Sequence, residues 1–354
     1  MATDDEGPPS VNDVLLRRTI RHAILVNRFS AGLGKRMVRF LDEEVYPDLV
    51  SQIMRRLEQI KGRGYDSGPW TTQRYKDLLD DVKTILRDAA LQMRMDASAE
   101  LRDLAKSEAN WAHRMLTVAM PAELQIDIGA INLNAVQAVV SRPIMGAPLQ
   151  DWFQGLAKAA QTQLTRQIGI GLAEGEPAAK IVSRVRRTLD VPRAHAATIV
   201  RTASNQVATQ ARQTTFEENG DIIKGVKWLS TLDTRTSPIC RARDGQVYGL
   251  QDGPRPPAHP NCRSVVTPIV KSAAELGLRR REIAPGTRAS MNGQVPRDLT
   301  YEQWLKTQDT QAQNEALGVR RAQLWRAGRI TMDDMVTKDG RALTLAELEA
   351  IDQG

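Results

Sequence analysis

Cys240, His259 and Cys262 are the residues of this 354-residue chain whose types and spacing most directly suggest chemistry, reading C-x18-H-x2-C. They include both cysteines of the chain and one of its four histidines. The H-x2-C half has the short spacing that lets two ligands reach one tetrahedral zinc. A closed structural site needs a fourth ligand, and with no third cysteine Asp233 or Asp244 would have to supply it; an open position would make the site catalytic. Two other readings stand beside zinc. The thiols can be small buried hydrophobes with His259 capping a loop through ordinary hydrogen bonds, or Cys240 and Cys262 can form a disulfide in a particle that leaves the reducing cell. The expectation is that no cofactor is bound, with a structural zinc at Cys240, His259 and Cys262 as the alternative.

The same stretch, Trp228 to Pro268, gathers the other candidates. Asp233 and Arg235 fall in a loop, where a carboxylate accepts backbone N–H bonds and an arginine can fork onto it or onto a nearby carbonyl. Asp244-Gly245 is a tight-turn dipeptide, which gives Asp244 a structural explanation. Asp233, Asp244 and His259 also supply the residue types of a metal-dependent phosphodiesterase or nuclease. Their spacing matches no nuclease motif, and this reading stands as the alternative to a non-catalytic role.

Short strands must hold these loops. Gly225–Ser230 alternates as a strand does, and Gln246–Tyr248 and Ser264–Thr267 are further strand candidates, so a small sheet is expected. Around it the chain reads as helix. Ser10, with Asp13 at capping-box spacing, starts a first helix whose apolar face is Val14, Leu15, Ile20, Ile24 and Leu25. Leu41–Ile60 repeats the pattern until K-G-R-G at Lys61–Gly64. Thr71–Met120 is the most strongly periodic segment, with Leu78, Val82, Ile85, Leu86, Ala89 and Met93 at three- and four-residue steps.

Ile126–Pro148 reads as a loop-rich hinge, and Leu149–Leu172 as a helix with Trp152, Leu156, Leu164 and Ile168 on its buried side. A short helix from Glu174 and an alanine-rich helix over Arg193–Asn219, capped by Gly220, precede the sheet. After Pro268 come a basic connector, a Gly/Pro/Asn-rich loop at Pro285–Pro296, and two short helices around Trp304, Leu305, Leu317, Leu324 and Trp325. A last helix is capped by Thr344 with Glu347. The expected class is α+β, predominantly α-helical, in three regions: a helical 1–148 with a basic arm, a module of helices then a small sheet over 149–270, and a connector with a short helical tail over 271–354.

Charge bears on partners. The 49 Lys and Arg against 42 Asp and Glu leave a net +7, which favours an acidic partner such as nucleic acid without naming it. Arg17, Arg18 and Arg21 on the first helix, with Lys180, Arg184, Arg186 and Arg187 further on, are candidate contacts to a double-stranded DNA backbone. The competing reading of the arm is a solvated face with arginine stems laid over apolar surface. No apolar run reaches the roughly 20 residues that span a bilayer. The start, M-A-T-D-D-E-G-P-P-S, is unlike a signal peptide, and two cysteines fit a reducing compartment. A soluble chain, cytosolic at synthesis and without a membrane partner, is expected.

Arg201-Thr202, Trp228, Asp233-Thr234-Arg235-Thr236, Cys240, Asp244-Gly245 and the run Pro256-Pro257-Ala258-His259-Pro260-Asn261-Cys262-Arg263 occur in a telling order. Together they resemble the head morphogenesis domain of the phage Mu F-like minor head proteins, the group that includes the portal-associated minor head protein of phage SPP1. The resemblance covers residues 190–270 directly; Tyr301–Gln308 and Leu317–Gly328 are more loosely similar to the tail that follows this domain in relatives. Ser237 and Ser264 stand where relatives often carry the further cysteines of C-x2-C and C-R-C, and Ala203 stands where they carry glutamate. Serine is a poor zinc ligand.

The resemblance implies a non-enzymatic minor capsid protein of a tailed bacteriophage, built into the procapsid near the portal vertex. It would sit in the virion head interior after a period in the host cytoplasm, touching portal protein, major capsid or scaffolding protein, and packaged DNA. Trp228, Asp233, Arg235, Cys240, Asp244, Gly245, His259, Cys262 and Arg263 then form a structural motif, and no residue is catalytic.

Overall fold

The computed structural model describes residues 10–61, 69–120, 128–129, 131–272, 275–276, 287–296, 298–337 and 339–353. The acidic start, the break after Lys61 and most of the basic connector lie outside these residues. Seven helices precede the sheet among the described residues: α1 (Val11–Phe40), α2 (Tyr46–Lys61), α3 (Pro69–Ala119), α4 (Leu133–Ala138), α5 (Leu149–Ala173), α6 (Ala178–Thr188) and α7 (Asp190–Glu217). The first is capped as its sequence predicts. Ser10 N donates to Asp13 Oδ2 at 3.1 Å and Asp13 N to Ser10 Oγ at 3.2 Å, a reciprocal pair whose loss costs about 1 kcal/mol.

The chain divides into two compact units that interleave along the sequence: Met1–Asn27, Ala105–Val136 and Asn205–Gly354 make one, Arg28–Leu104 and Gln137–Ser204 the other. They are not consecutive in the way that 1–148, 149–270 and 271–354 would be. The second unit is helical. Leu78, Val82, Leu86, Ala89, Met93, Ala97 and Leu101 form its buried stripe on α3, and Phe153, Leu164 and Ile168 that on α5. A π-helical turn at Leu41–Val45 joins α1 to α2, keeping Leu41 and Val45 both buried; the sequence pattern does not reveal it.

The first unit packs α1, α3 and α7 against a three-stranded antiparallel sheet. Its strands are β1 (Ile223–Leu229), β2 (Val247–Tyr248) and β3 (Val265–Val270), in the order β2-β1-β3. Leu15 of α1, Met115 and Leu116 of α3, Phe216 of α7 and Trp228 of β1 share one core with Cys240 and Cys262. Trp228 is fully buried, which alone is worth about 1.5–3 kcal/mol or more of apolar burial. Gly225 has a specific reason to be glycine: an added Cβ would stand 2.4 Å from the Tyr248 carbonyl oxygen on the paired strand.

Several expectations are corrected. Ile24 and Leu25 are 48% and 55% exposed, and Leu15, Leu16 and Val26 form the buried face of α1 instead. The expected hinge contains α4 and a 3-10 turn at Val139–Ser141, because Asn132 Oδ1 accepts from Ala135 N and starts a helix. Phe153, rather than Trp152, is the buried aromatic of α5; Trp152 Nε1 reaches out to Ile144 O at 3.0 Å. Asn219 closes α7 through its amide on Thr215 O at 2.7 Å, and Gly220 has no left-handed φ. The loop expected before Pro296 is a hairpin of β4 (Thr287–Ser290) and β5 (Gly293–Pro296), its turn closed with Gly293 at φ 113.

The tail holds α9 (Tyr301–Lys306), α10 (Thr310–Leu317) and α11 (Val319–Arg326) where two helices were expected, then α12 (Leu345–Gln353). Gly318, at φ 83, splits the second expected helix from its neighbour. The predicted core forms as read, with Trp304, Leu305, Leu317, Leu324 and Trp325 joined by Leu232, Tyr301 and Leu348. Thr344 and Glu347 cap α12 as their spacing requires.

Candidate functional site

The candidate residues are set on the loops around β1 and on a short helix, α8 (Pro238–Arg243), which Ser237 precedes and Pro238 opens. Pro at the first helical position costs no hydrogen bond, so α8 starts where the chain leaves the Asp233 loop. Cys240 points from α8 into the core, 1% exposed, and its Sγ stands 3.3 Å from His259 Nε2 and 3.7 Å from Cys262 Sγ. His259 and Cys262 are brought together by a tight turn in which Cys262 N donates to His259 O at 3.1 Å. Asn261 takes the left-handed φ of 58° that this turn demands, a conformation asparagine tolerates better than most residues. The three ligand atoms lie within 4.8 Å of one another, the one such His/Cys/Asp/Glu group among the described residues. Both thiols are free and buried. The hydrogen bond between them pushes the Cys240 thiol up and the Cys262 thiol down, with burial and His259 acting on the latter in opposite senses.

The two aspartates of the motif are braces. Arg263 Nη1 and Nη2 donate to the two carboxylate oxygens of Asp233 at 2.6 and 2.9 Å. Arg235 was the arginine expected to fork there; its side chain is 79% exposed and only approaches Asp233 at 3.7 Å. The reason is local. Asp233 Oδ1 accepts from Arg235 N and from Thr236 Oγ1, an Asx turn that aims the Arg235 side chain outward. Burial alone would raise Asp233, but Arg263 and Thr236 outweigh it and hold the carboxyl below its ordinary value.

Asp244 is buried and accepts from Ser230 N at 2.6 Å and from Tyr301 N at 2.8 Å. Gly245 follows at φ 83, as the turn dipeptide predicts. Trp228 Nε1 donates to Ser230 Oγ, and Ser230 Oγ donates to Cys240 O, so strand, turn and α8 share one hydrogen-bonded chain. Among the described residues Asp233 and Asp244 are not grouped with His259: Asp233 is paired with Arg263, and Asp244 accepts from two backbone amides.

Other residues hold this arrangement and were not singled out from the sequence. Asn205 of α7 donates through Nδ2 to Cys262 O and Ser264 O at 2.6 and 3.2 Å. Arg255 ties the glycine- and proline-rich loop together, donating to Leu250 O and Asp252 O at 3.0 Å and to Gln213 Oε1 of α7 at 3.0 Å. Tyr301 OH donates to Asp233 O at 2.9 Å. A polar Asn in an alanine-rich helix and an Arg between Pro254 and Pro256 were the available signals, and neither names its partner.

Residues 162–267 match the family model described as phage Mu protein F like protein. This segment is phage Mu F-like. It begins within α5, earlier than the resemblance read from the sequence, and takes in the whole motif from Trp228 to Arg263. Comparison with curated proteins and with solved structures gives no match. Among the described residues no helix is long and apolar enough to cross a membrane.

The basic candidates fall in two groups. In the Mu F-like segment, Lys180 pairs with Glu176 at 2.8 Å, and Arg184 pairs with Glu176 and Glu174, both at 2.6 Å. Arg186 and Arg187 are exposed, Arg187 against Ser183. Before the segment, Arg18 and Arg21 of α1 are exposed and Arg17 half-buried.

Proposed function

We propose that the chain is a minor capsid protein of a tailed bacteriophage, acting in head morphogenesis without catalysis and built into the procapsid beside the portal vertex. The observation that carries this reading is the Mu F-like match over residues 162–267, a segment whose loops are braced by side-chain hydrogen bonds. Several of the motif's polar groups hold its loops in place: Asp233 is held by Arg263, Asp244 by two backbone amides, and Cys262 O by Asn205. Such a site supplies rigidity to an assembly module. Portal, major capsid or scaffolding protein are its proposed partners, and the exposed arginines of α1 would approach packaged double-stranded DNA.

The test is made on heads of the phage that encodes the chain. Mass spectrometry of purified heads is expected to find it at low copy number beside the portal protein, and a nonsense mutation in its gene is expected to lower the yield of infectious, DNA-filled heads. Its absence from purified heads, together with normal yield from the mutant, would overturn the reading. A separate assay addresses catalysis: the purified chain is expected to leave supercoiled plasmid intact in magnesium or manganese. Metal-dependent cutting abolished by Asp233→Ala would restore the nuclease alternative.

A further inference from the structure

We propose that Cys240, His259 and Cys262 form a structural zinc site, with the Cys240 and Cys262 thiolates and His259 Nε2 as ligands and an oxygen ligand completing the tetrahedron on the side of Ser237. The positions of the ligand atoms carry this without the family match. Zinc bound at about 2.3 Å from sulfur and about 2.0–2.1 Å from imidazole nitrogen sets two sulfurs about 3.8 Å apart and sulfur from nitrogen about 3.6 Å apart at tetrahedral angles. The corresponding separations here are 3.7 Å for Cys240 Sγ to Cys262 Sγ and 3.3 Å for Cys240 Sγ to His259 Nε2. Two of the three edges thus stand within about 0.3 Å of the lengths the ion would impose, and all three ligand atoms lie within 4.8 Å of one another.

The orientation of the histidine points the same way. His259 Nδ1 lies 2.8 Å from Pro260 O. A carbonyl can only accept, so Nδ1 carries the proton and Nε2 presents its lone pair toward the thiols, the arrangement by which a metal-binding histidine is oriented from behind. Ser237 flanks the Cys240 sulfur and its hydroxyl is a hydrogen-bond partner of that thiol, which puts an oxygen beside the open corner of the tetrahedron. Ser264, on the other flank, is held by Ser230.

The site has the makeup of a staple. Its ligands come from α8 and from the turn before β3, two segments joined by the loop that Arg255 pins, and both sulfurs are inside the core. Binding would release the thiol protons and add to folding stability. With only two thiolates and an oxygen in the fourth place, the ion is held less tightly than by a Cys3His set, since serine is a poor replacement for thiolate.

The experiment uses the full chain, expressed with zinc in the medium and purified under reducing conditions without chelator. Elemental analysis is expected to give one zinc per chain. Cobalt added to metal-free protein is expected to show the intense visible bands of a tetrahedral site and a thiolate charge-transfer band. Cys262→Ser should lose both signals. Because that variant can fail to fold, Ser237→Cys supplies a second reading: it should keep the fold by circular dichroism and release zinc more slowly to a chelator. Reduced wild-type protein with neither zinc nor cobalt bands overturns the site, as does a freshly isolated chain lacking zinc and two hydrogens lighter, which would be the Cys240–Cys262 disulfide.

Discussion

Arg263 grips Asp233 with both terminal nitrogens, at 2.6 and 2.9 Å, and so fastens the loop after β1 to the residue that follows Cys262. Bidentate charge-assisted bonds carry geometric specificity as well as energy. Replacing Arg263 by Lys keeps the charge and loses the fork, and is expected to cost about 1–3 kcal/mol in urea unfolding.

The same pair sets a pH dependence. Asp233 is held below its ordinary value, so its contribution is full above the usual carboxylate range and is lost as pH falls through the folded value. The stability difference between the natural chain and Asp233→Asn should therefore be largest near neutrality and shrink in acid. Unfolding curves at a series of pH values decide it; a gap that widens on acidification would contradict the assignment.

Asp244→Ala leaves two buried backbone donors, Ser230 N and Tyr301 N, without their acceptor. The expected cost is about 1–3 kcal/mol for each unsatisfied group. Because Tyr301 begins the tail core, the variant should also show early cleavage around residues 296–301 in limited proteolysis, ahead of any change at α7.

Arg212 and Glu108 form a buried ion pair, with side chains 1% and 2% exposed and Nε 3.6 Å from Oε2. His22 stacks on Trp111 with centroids 3.8 Å apart and reaches Glu108 Oε1 at 2.6 Å, while Nη1 and Nη2 of Arg212 have no hydrogen-bond partner among the described residues. Burial already lowers the Arg212 pKa against the opposing pull of Glu108. Glu108→Gln strands the cation and is expected to cost about 3–5 kcal/mol, whereas the double variant Glu108→Leu with Arg212→Met should recover most of that loss. Chemical denaturation of the three proteins checks both statements.

If the chain touches DNA through free arginines, Arg17→Ala with Arg18→Ala and Arg21→Ala should flatten the salt dependence of binding by about one unit of slope for each phosphate no longer neutralised. Lys180→Ala with Arg184→Ala should change it less, because Glu174 and Glu176 already neutralise those cations. Fluorescence anisotropy across a salt series separates the two sets.

Much of this architecture was legible in the sequence because it rests on local rules. The Ser10 and Thr344 caps, the period of α3, the three strands and the Asp244-Gly245 turn are decided by residues within a few positions of each other. What was not legible is pairing at a distance. The motif offers Asp233 two arginines, and only the fold shows that Arg263 takes it while Arg235 faces water. Lys180 and Arg184, read as cations open to a phosphate backbone, are already paired with nearby glutamates, and Arg212 is a core residue. Cys240, His259 and Cys262 fall between these cases: their types and spacing were visible, and the distances that bring them together were not.

The interleaving of the two units has a consequence for synthesis. The sheet core needs Leu15 of α1, Met115 and Leu116 of α3 and Phe216 of α7 together with Val266, and Asp244 waits for Tyr301. A ribosome delivers these in order, so the unit cannot close behind the emerging chain as a consecutive domain would. Completion of this unit is deferred until residues beyond 301 are free of the exit tunnel, and a fragment cut to residues 162–267 would lack the helix faces and tail that complete its core.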